Sequence, residues 1–589
     1  MNSVVIISLI LLAGSSASGA ISNRFSSAIL IAGSVLFGFA LFNPSQIESY
    51  FSLIASVVWV LVGFYGISYG QKYGRWLPSM LSLTVFGMAL ILSSKDLIMV
   101  LIGWEVMSIP SYVIIGLYRK ASHAPFAFMA FSEASLIFLV IGLIILFNST
   151  GSIGFPLRIY NPLVLLFISI GAMIKMGVTP YSINEWLPVA HGSAPANASA
   201  VFSSTMTLMG VYLIFRFVSA TPFEALFQPV GFLILTSGVF AALFTALYSY
   251  TAENKKRLAG FSTVDNQGAI LAAFGLAIMT PDETIRRFAM ITVLIFTLAH
   301  ALGKTGLFFS IGSSSGENIY GSQQKTDRIG KIGSAIVAVS LSGLFPTIGG
   351  LAAWSLLESF FMQAYYGGYI GVIAIISGSV IAMAEGLVSG AIAKILIFTR
   401  IFKAKKHAKN SYESIVLLVT ASLLVVAFLL SYEIYGANYT GGVPTTLIFP
   451  PFDITSKFSS GSIFGLVSPF FISLIILFSF TAWWGLLRPR RVRYVEPWNT
   501  GSEQHDDFTS FGFSSNIRIM LGRILRTRDS GKESLSISNP FWTAMILVGK
   551  YYRKATEKIS YGIMNSSIGW YMIYMIVAFL AIILVVSFL

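Results

Sequence analysis

NPLVLLFISIGAMIKMGVTPYSINEWLPVAHGSAPANASAVFSSTMTLMGVYLIFR (residues 161–216) is the stretch on which the fold turns. Two apolar runs, each approaching the roughly 20 residues that a bilayer span needs, are joined through Pro180, Pro188 and Pro195. Proline removes a backbone donor, so the first run predicts a membrane helix that is broken partway along. The same pattern recurs at GLFPTIGGLAAW (343–354), with Pro346, Gly349 and Gly350. A pair of interrupted hydrophobic segments, one in each half of a chain, points to an ion path near the bilayer midplane.

The rest of the sequence agrees with a lipid environment. Of 589 residues, 55% are hydrophobic and 11% charged, against about 25% charged in a soluble domain. Apolar runs predict an all-α polytopic membrane protein of about 16 transmembrane helices, with two of them discontinuous. The predicted spans are 3–20, 25–43, 50–69, 77–94, 97–117, 126–147, 161–178, 196–218, 229–250, 260–279, 287–312, 332–366 with a break, 369–401, 413–435, 460–487 and 568–589. The first run imitates a signal peptide but lacks a basic start, Arg24 following it instead, and is read as an uncleaved span. A soluble enzyme, a disordered chain and a nucleic-acid binder are excluded.

The net charge of +14 is read as topology. Loops after odd-numbered spans hold 16 Lys and Arg, from Arg24 to the run Arg400, Lys403, Lys405, Lys406 and Lys409; loops after even-numbered spans hold 5. Positive residues stay on the cytoplasmic side, so both termini are expected outside. Between the last two spans, residues 488–567 carry 13 basic and 7 acidic side chains. This basic cytoplasmic segment is expected either to lie as a solvated arm against anionic lipid or to strap a partner protein. With no cysteine and five scattered histidines, no thiolate metal site, iron–sulfur cluster or haem is expected, and no cofactor is assigned. No G-x-x-x-x-G-K-[ST] stretch marks a nucleotide site.

Charges inside the spans carry the functional reading. An ionisable group at the bilayer centre costs roughly 2.5–3.5 kcal/mol on insertion scales, so each needs a reason. Glu105, Glu133 and Lys175 fall inside or at the end of apolar runs. His300 and Lys304 are four residues apart, on one helix face. Glu358 follows the second break, and Glu385 and Lys394 share one span. For Glu358, Glu385 and Lys394, an ion pair or a lysine reaching for the interface is the alternative. A Glu–Lys pair whose separation or hydration changes can load and release a proton, and a row of such groups relays it. A sodium ion prefers an oxygen cage, so the lysine-rich row favours protons.

These same residues carry a resemblance. LIGWEVMSIPSYVIIGLY (101–118), the 174–216 stretch, ENKKRLAGFSTVDNQGAIL (253–271), LAHALGKTGLFFSIGS (298–313) and SLSGLFPTIGG (340–350) stand in the order seen in one family. They resemble the antiporter-like subunits of respiratory complex I, of cation/proton antiporter complexes and of membrane-bound hydrogenases. VRYVEPWNTGSEQHDDFTSFGFSSNIRIML (492–521) is similar to the tail of the hydrogenase-4 component B and formate hydrogenlyase subunit 3 group, except that Trp498 is followed by Asn499 and Thr500 where that group usually has Cys-Gly.

The resemblance implies N-terminal transmembrane helices at 1–75, an antiporter-like proton-translocation core at 76–402, and C-terminal transmembrane helices at 403–487. The 488–567 segment and a last helix at 568–589 follow. Proton-translocation residues are then Glu105 and Lys175 as the switching pair, Glu133 at a span-6 polar position that varies in kind within the family, His300 and Lys304 on the central axis, and Lys394 or Glu358 toward the exit. The implied setting is the prokaryotic plasma membrane. The implied partners are other membrane subunits and a peripheral redox arm that holds the electron carriers, with the lipid bilayer around and no nucleic acid. A subunit of a multi-chain Na⁺/H⁺ antiporter, or a non-conducting scaffold of the same fold, is the alternative. Two departures bear on this: span 8 has Leu208 near the expected basic residue and offers only Ser203, Ser204, Thr205 and Thr207, and span 12 has Ala353 at the expected charge.

Overall fold

The computed structural model describes residues 3–43, 46–118, 124–155, 158–180, 186–222, 227–313, 316–319, 327–399, 411–430, 455–457, 463–465, 469–487, 510–525, 527–528, 536–537 and a few positions between 547 and 557. The described fold is helical apart from minimal strand pairs such as Thr455–Lys457 with Ile463–Gly465. The helices are α1 (Ser3–Gly19), α2 (Asn23–Ala40), α3 (Ile47–Tyr69), α4 (Trp76–Ser93), α5 (Leu97–Leu117), α6 (Ala124–Thr150), α7 (Pro162–Lys175) and α8 (Trp186–Ser193). They continue with α9 (Ala196–Val201), α10 (Thr207–Ala220), α11 (Gln228–Thr251), α12 (Lys255–Met279), α13 (Glu283–Gly312), α14 (Arg328–Leu341), α15 (Ile348–Tyr366), α16 (Gly368–Phe398) and α17 (Tyr412–Leu429). Last come α18 (Pro469–Leu487), α19 (Ser510–Phe513) and α20 (Ser515–Leu525). Residues 1–536 form one compact unit and 537–589 a second.

Ten described helices are long and apolar enough to cross a membrane, and α1, α7 and residues 474–486 are shorter apolar helices. The sixteenth expected span, 568–589, lies outside the described residues. Sequence neighbours pack as spatial neighbours: α1 on α2 and α4, then α4 on α5, α5 on α6, α6 on α7 and α7 on α10. A second set follows, with α11 on α12, α12 on α13, α13 on α15 and α15 on α16.

Both expected breaks are present and end in the same way. α7 stops at Lys175, where Gly177 takes a φ of +86° and Val178 N–H reaches back to the Met173 carbonyl at 2.9 Å. α14 stops at Leu341, where Gly343 takes a φ of +65° and Leu344 N–H reaches the Val339 carbonyl at 3.1 Å. A left-handed glycine at the helix end closes the orphan carbonyls this way, because a Cβ would be strained there. α8 and α15 then resume the two paths, α15 capped by the Thr347 hydroxyl on Gly350 N–H.

α12 is the helix least like a lipid-facing span. Every residue from Leu258 to Met279 is buried, and the run Ser262, Thr263, Asp265, Asn266 and Gln267 lies inside that buried stretch. Buried polar side chains persist only where they are hydrogen-bonded, and α12 is surrounded by α8, α11, α13 and α16. This polar helix at the centre is the frame of the site.

Candidate functional site

The first cluster surrounds Lys175, whose side chain is 1% exposed. Its ammonium donates to Ser108 Oγ at 2.5 Å and to Ser132 Oγ at 3.1 Å. It also lies 5.8 Å from the Trp104 ring centroid and 5.4 Å from that of Phe128. Position at the last turn of α7 favours a cation by about 0.3–2 kcal/mol through the helix dipole. The indole of Trp104 donates to Ser135, which donates to the Gly171 carbonyl, so α5, α6 and α7 are locked together.

Glu105 and Glu133 are both half-buried and both act electrostatically on Lys175. Neither makes an ion pair with it among the described residues; Glu105 Oε1 is buried and has no hydrogen-bond partner. The expected pair therefore interacts electrostatically, while the lysine itself is held by neutral hydroxyls. These serines were not anticipated. The signal was present, since Ser108 is three residues after Glu105 on the same face of α5, and Ser132 precedes Glu133.

The second cluster lies at span 8, where α9 and α10 are joined by a turn of π-helix, Phe202–Met206. A π-bulge changes which side chains face inward and is frequent at functional sites. Ser203 Oγ is 2.6 Å from Thr263 Oγ1 on α12. Trp59 of α3 donates to Thr205 at 3.2 Å. Gln267 Nε2 donates to Thr207 at 3.1 Å and lies 3.0 Å from His300 Nε2. Span 8 thus lacks a basic group but receives a glutamine reaching in from α12.

His300 sits on this bridge with both ring nitrogens engaged. Nε2 is 2.9 Å from the Ser203 carbonyl as well as near Gln267. When bare it accepts from the glutamine amide; when protonated it donates to the carbonyl. With the Asn266 amide turned to satisfy its neighbours, its oxygen lies 3.2 Å from His300 Nδ1 and its nitrogen 3.2 Å from Asp265 Oδ2. The ring thus has an acceptor on each side and, through Gln267, a donor for its bare state.

The third cluster is Lys304, fully buried one turn after His300. Its ammonium donates to the Ser262 carbonyl at 2.7 Å and to Ser262 Oγ at 2.5 Å. Asp265 and Glu385 act on it electrostatically, and neither forms an ion pair with it among the described residues. Lys175 and Lys304 therefore share one arrangement: a buried ammonium on hydroxyl and carbonyl oxygens, with carboxylates nearby but not in contact. Asp265 and Ser262 fall inside the expected span 260–279 but were not among the expected site residues, since their closeness to Lys304 depends on the packing of α13 against α12.

Between the Lys175 and span-8 clusters stands an aromatic step. The rings of Phe128 and Phe202 are 6.3 Å apart. No hydrogen bond joins the Lys175 serines to the span-8 hydroxyls among the described residues. His191 of α8 is fully buried, its ring 4.9 Å from Phe308, with neither ring nitrogen bonded.

Lys394 is fully buried. Its ammonium donates to the carbonyls of Tyr250 and Ala252 at 2.8 and 2.7 Å and lies 3.4 Å from Glu253. Arg518 of α20 donates to Glu253 at 2.8 Å and to the Thr251 carbonyl at 2.7 Å, and Ser510 bonds the other carboxylate oxygen at 2.5 Å. Part of the basic 488–567 segment is therefore clasped onto this chain's own helix ends. Glu358, half-buried on α15, has no hydrogen bond or ion pair among the described residues.

Comparison with known proteins fits this architecture. Residues 94–382 match the family described as NADH:quinone oxidoreductase/Mrp antiporter, TM. Hydrogenase-4 component B of Escherichia coli is 24% identical over 415 residues, covering 65% of this chain; the chain spans 60% of that relative's length. Among solved structures, the membrane-bound sulfane sulfur reductase, an archaeal respiratory membrane complex, gives a TM-score of 0.75 at 16% identity, over 98% of this chain and 99% of that one. The Mrp complex of a Dietzia species gives 0.68 at 17% identity, over 99% of this chain and 63% of that one. Over residues 94–382, which hold Lys175, His300 and Lys304, the match identifies this chain as an antiporter-like membrane subunit of the complex I, hydrogenase and Mrp type.

Proposed function

We propose that the chain translocates protons as the membrane subunit of a redox-driven complex, of the complex I-related NADH:quinone oxidoreductase or membrane-bound hydrogenase type. The observation that carries this reading is the repeated arrangement at Lys175 and Lys304. Each ammonium is buried on neutral oxygens with an uncontacted carboxylate beside it. Approach of the carboxylate stabilises the charged lysine, and withdrawal favours release of its proton. Glu105 with Glu133 serves Lys175, and Asp265 serves Lys304. The Ser203, Thr207, Gln267 and His300 bridge joins the second lysine to span 8. The Phe128–Phe202 step is where water must enter for the proton to pass, which makes it a place to hold the two halves apart between cycles.

Electrons travel in other chains: the buried residues here are oxygen and nitrogen proton carriers, and a peripheral redox arm drives them electrostatically. The membrane is the prokaryotic plasma membrane, with 488–567 on the cytoplasmic side and both termini outside, as the loop charges direct. The Mrp-like fold supports a second reading, a subunit of a multi-chain Na⁺/H⁺ antiporter.

Purification through a tag on this chain separates the two. A co-purifying nickel–iron-hydrogenase-like or quinone-reductase-like arm supports the first, and small membrane subunits alone support the second. Reconstituting that assembly in vesicles tests translocation itself. K175A and K304M should each abolish coupled proton uptake, and unchanged uptake in either would leave a scaffold of the same fold.

A further inference from the structure

A small cavity opens beside the second helix break, lined by Asn266, His300, Ser340, Gly349, Ala353 and Glu385 among others. The space available to a water centre is about 20 Å³, and roughly 10–15 Å³ suffices for one water with polar partners. Two observations point to water there. Ser340 Oγ is buried and makes no hydrogen bond. The Glu385 carboxylate has no hydrogen bond or ion pair among the described residues, although it acts electrostatically on Lys304 and Asp265.

We propose that Glu385 is the exit-side proton acceptor of this subunit, reached from His300 through water held in the cavity at the α14–α15 break. The inference rests on the proton-translocation reading and names the group that finishes its path. Glu385 is the one carboxylate among the cavity's lining residues, and His300 the one imidazole. α16 holds that wall against the break, since Ser389, one turn beyond, donates to the Ser342 carbonyl at 3.3 Å and to the Glu385 carbonyl at 2.9 Å.

The step is a plain proton transfer: an N–H bond on the imidazolium breaks, the cavity water carries the proton, and an O–H bond forms on the carboxylate. Two charges vanish together, and no co-reactant is needed. Glu358, the acid nearer the break in sequence, does not line the cavity, and geometry favours the more distant residue.

The test uses the complete assembly purified through this chain and reconstituted in vesicles, with K304M as reference. E385Q should cut coupled proton uptake by at least about tenfold, equivalent to about 1.4 kcal/mol of barrier, while E358Q leaves it near wild type. Since Ala353 faces the same cavity, E385Q/A353E should recover uptake. Loss in K304M with full uptake in E385Q would overturn this inference alone; full uptake in K304M would overturn the translocation reading beneath it. A readout independent of transport is infrared absorption of the wild-type chain. A carboxyl stretch that shifts in D₂O should disappear in E385Q and move in E385D, and absence of any such band in the wild type across the titration overturns the proposal.

Discussion

Glu253→Gln should free the α19–α20 clasp. Glu253 is 11% exposed and lies between two cations, Arg518 at 2.8 Å and Lys394 at 3.4 Å, whose side chains are 4% and 0% exposed. Breaking a buried ion pair by neutralising one partner costs about 3–5 kcal/mol, because the other charge stays buried without compensation. Here the Thr251 carbonyl still holds Arg518, and two carbonyls still hold Lys394. The lower end, about 3 kcal/mol, is therefore the working figure.

Lys394 belongs to α16 and cannot leave, whereas Arg518 can swing away with α20, so the loss falls on docking of the clasp. Amide exchange of residues 510–525 in the full chain should then accelerate by about 100-fold, at 1.4 kcal/mol per factor of ten. R518Q should produce a similar acceleration, and E253Q/R518Q should fall well short of the sum, as expected for directly contacting residues. Unchanged exchange in E253Q would refute the reasoning and return the segment to a freely solvated arm.

Two further outcomes follow from the same geometry. Gln267→Leu removes the bridge from Thr207 to His300; coupled proton uptake should fall by about tenfold or more, equivalent to about 1.4 kcal/mol, with the thermal midpoint moving little because the two side chains are similar in size. Gly177→Ala forces a Cβ onto a φ of +86° and to within 2.9 Å of Leu187 Cδ2. It should destabilise the α7 terminus by about 1–2 kcal/mol, read as a lower melting temperature of the detergent-solubilised chain.

Fold class, both helix breaks and the motif order were legible in the amino-acid sequence, because hydropathy and proline position act locally. A run of apolar residues must bury its backbone polar groups wherever it lies in the bilayer, and a proline interrupts a helix whatever packs beside it. Lys175, His300 and Lys304 were legible for the same reason: a charge within apolar sequence stands out without knowledge of its partners. Glu105 and Glu133 were found by the same signal, although not their distance from the lysine they serve.

Partnership was decided only by the tertiary structure. Ser108 and Ser132 lie 67 and 43 residues from the lysine they bind, and serine is too common in membrane helices to signal such a role. Gln267 reaches Thr207 and His300 only because α12 and α13 are packed around the π-turn. The Glu253 carboxylate that pairs with Lys394 is shared with Arg518 of α20, more than a hundred residues later in the chain. Local sequence thus determined where the helices run and where charges had to be justified. Long-range packing determined which oxygens hold each ammonium, because hydrogen-bond partners in a helical membrane protein come from neighbouring helices whose contacts no single segment encodes.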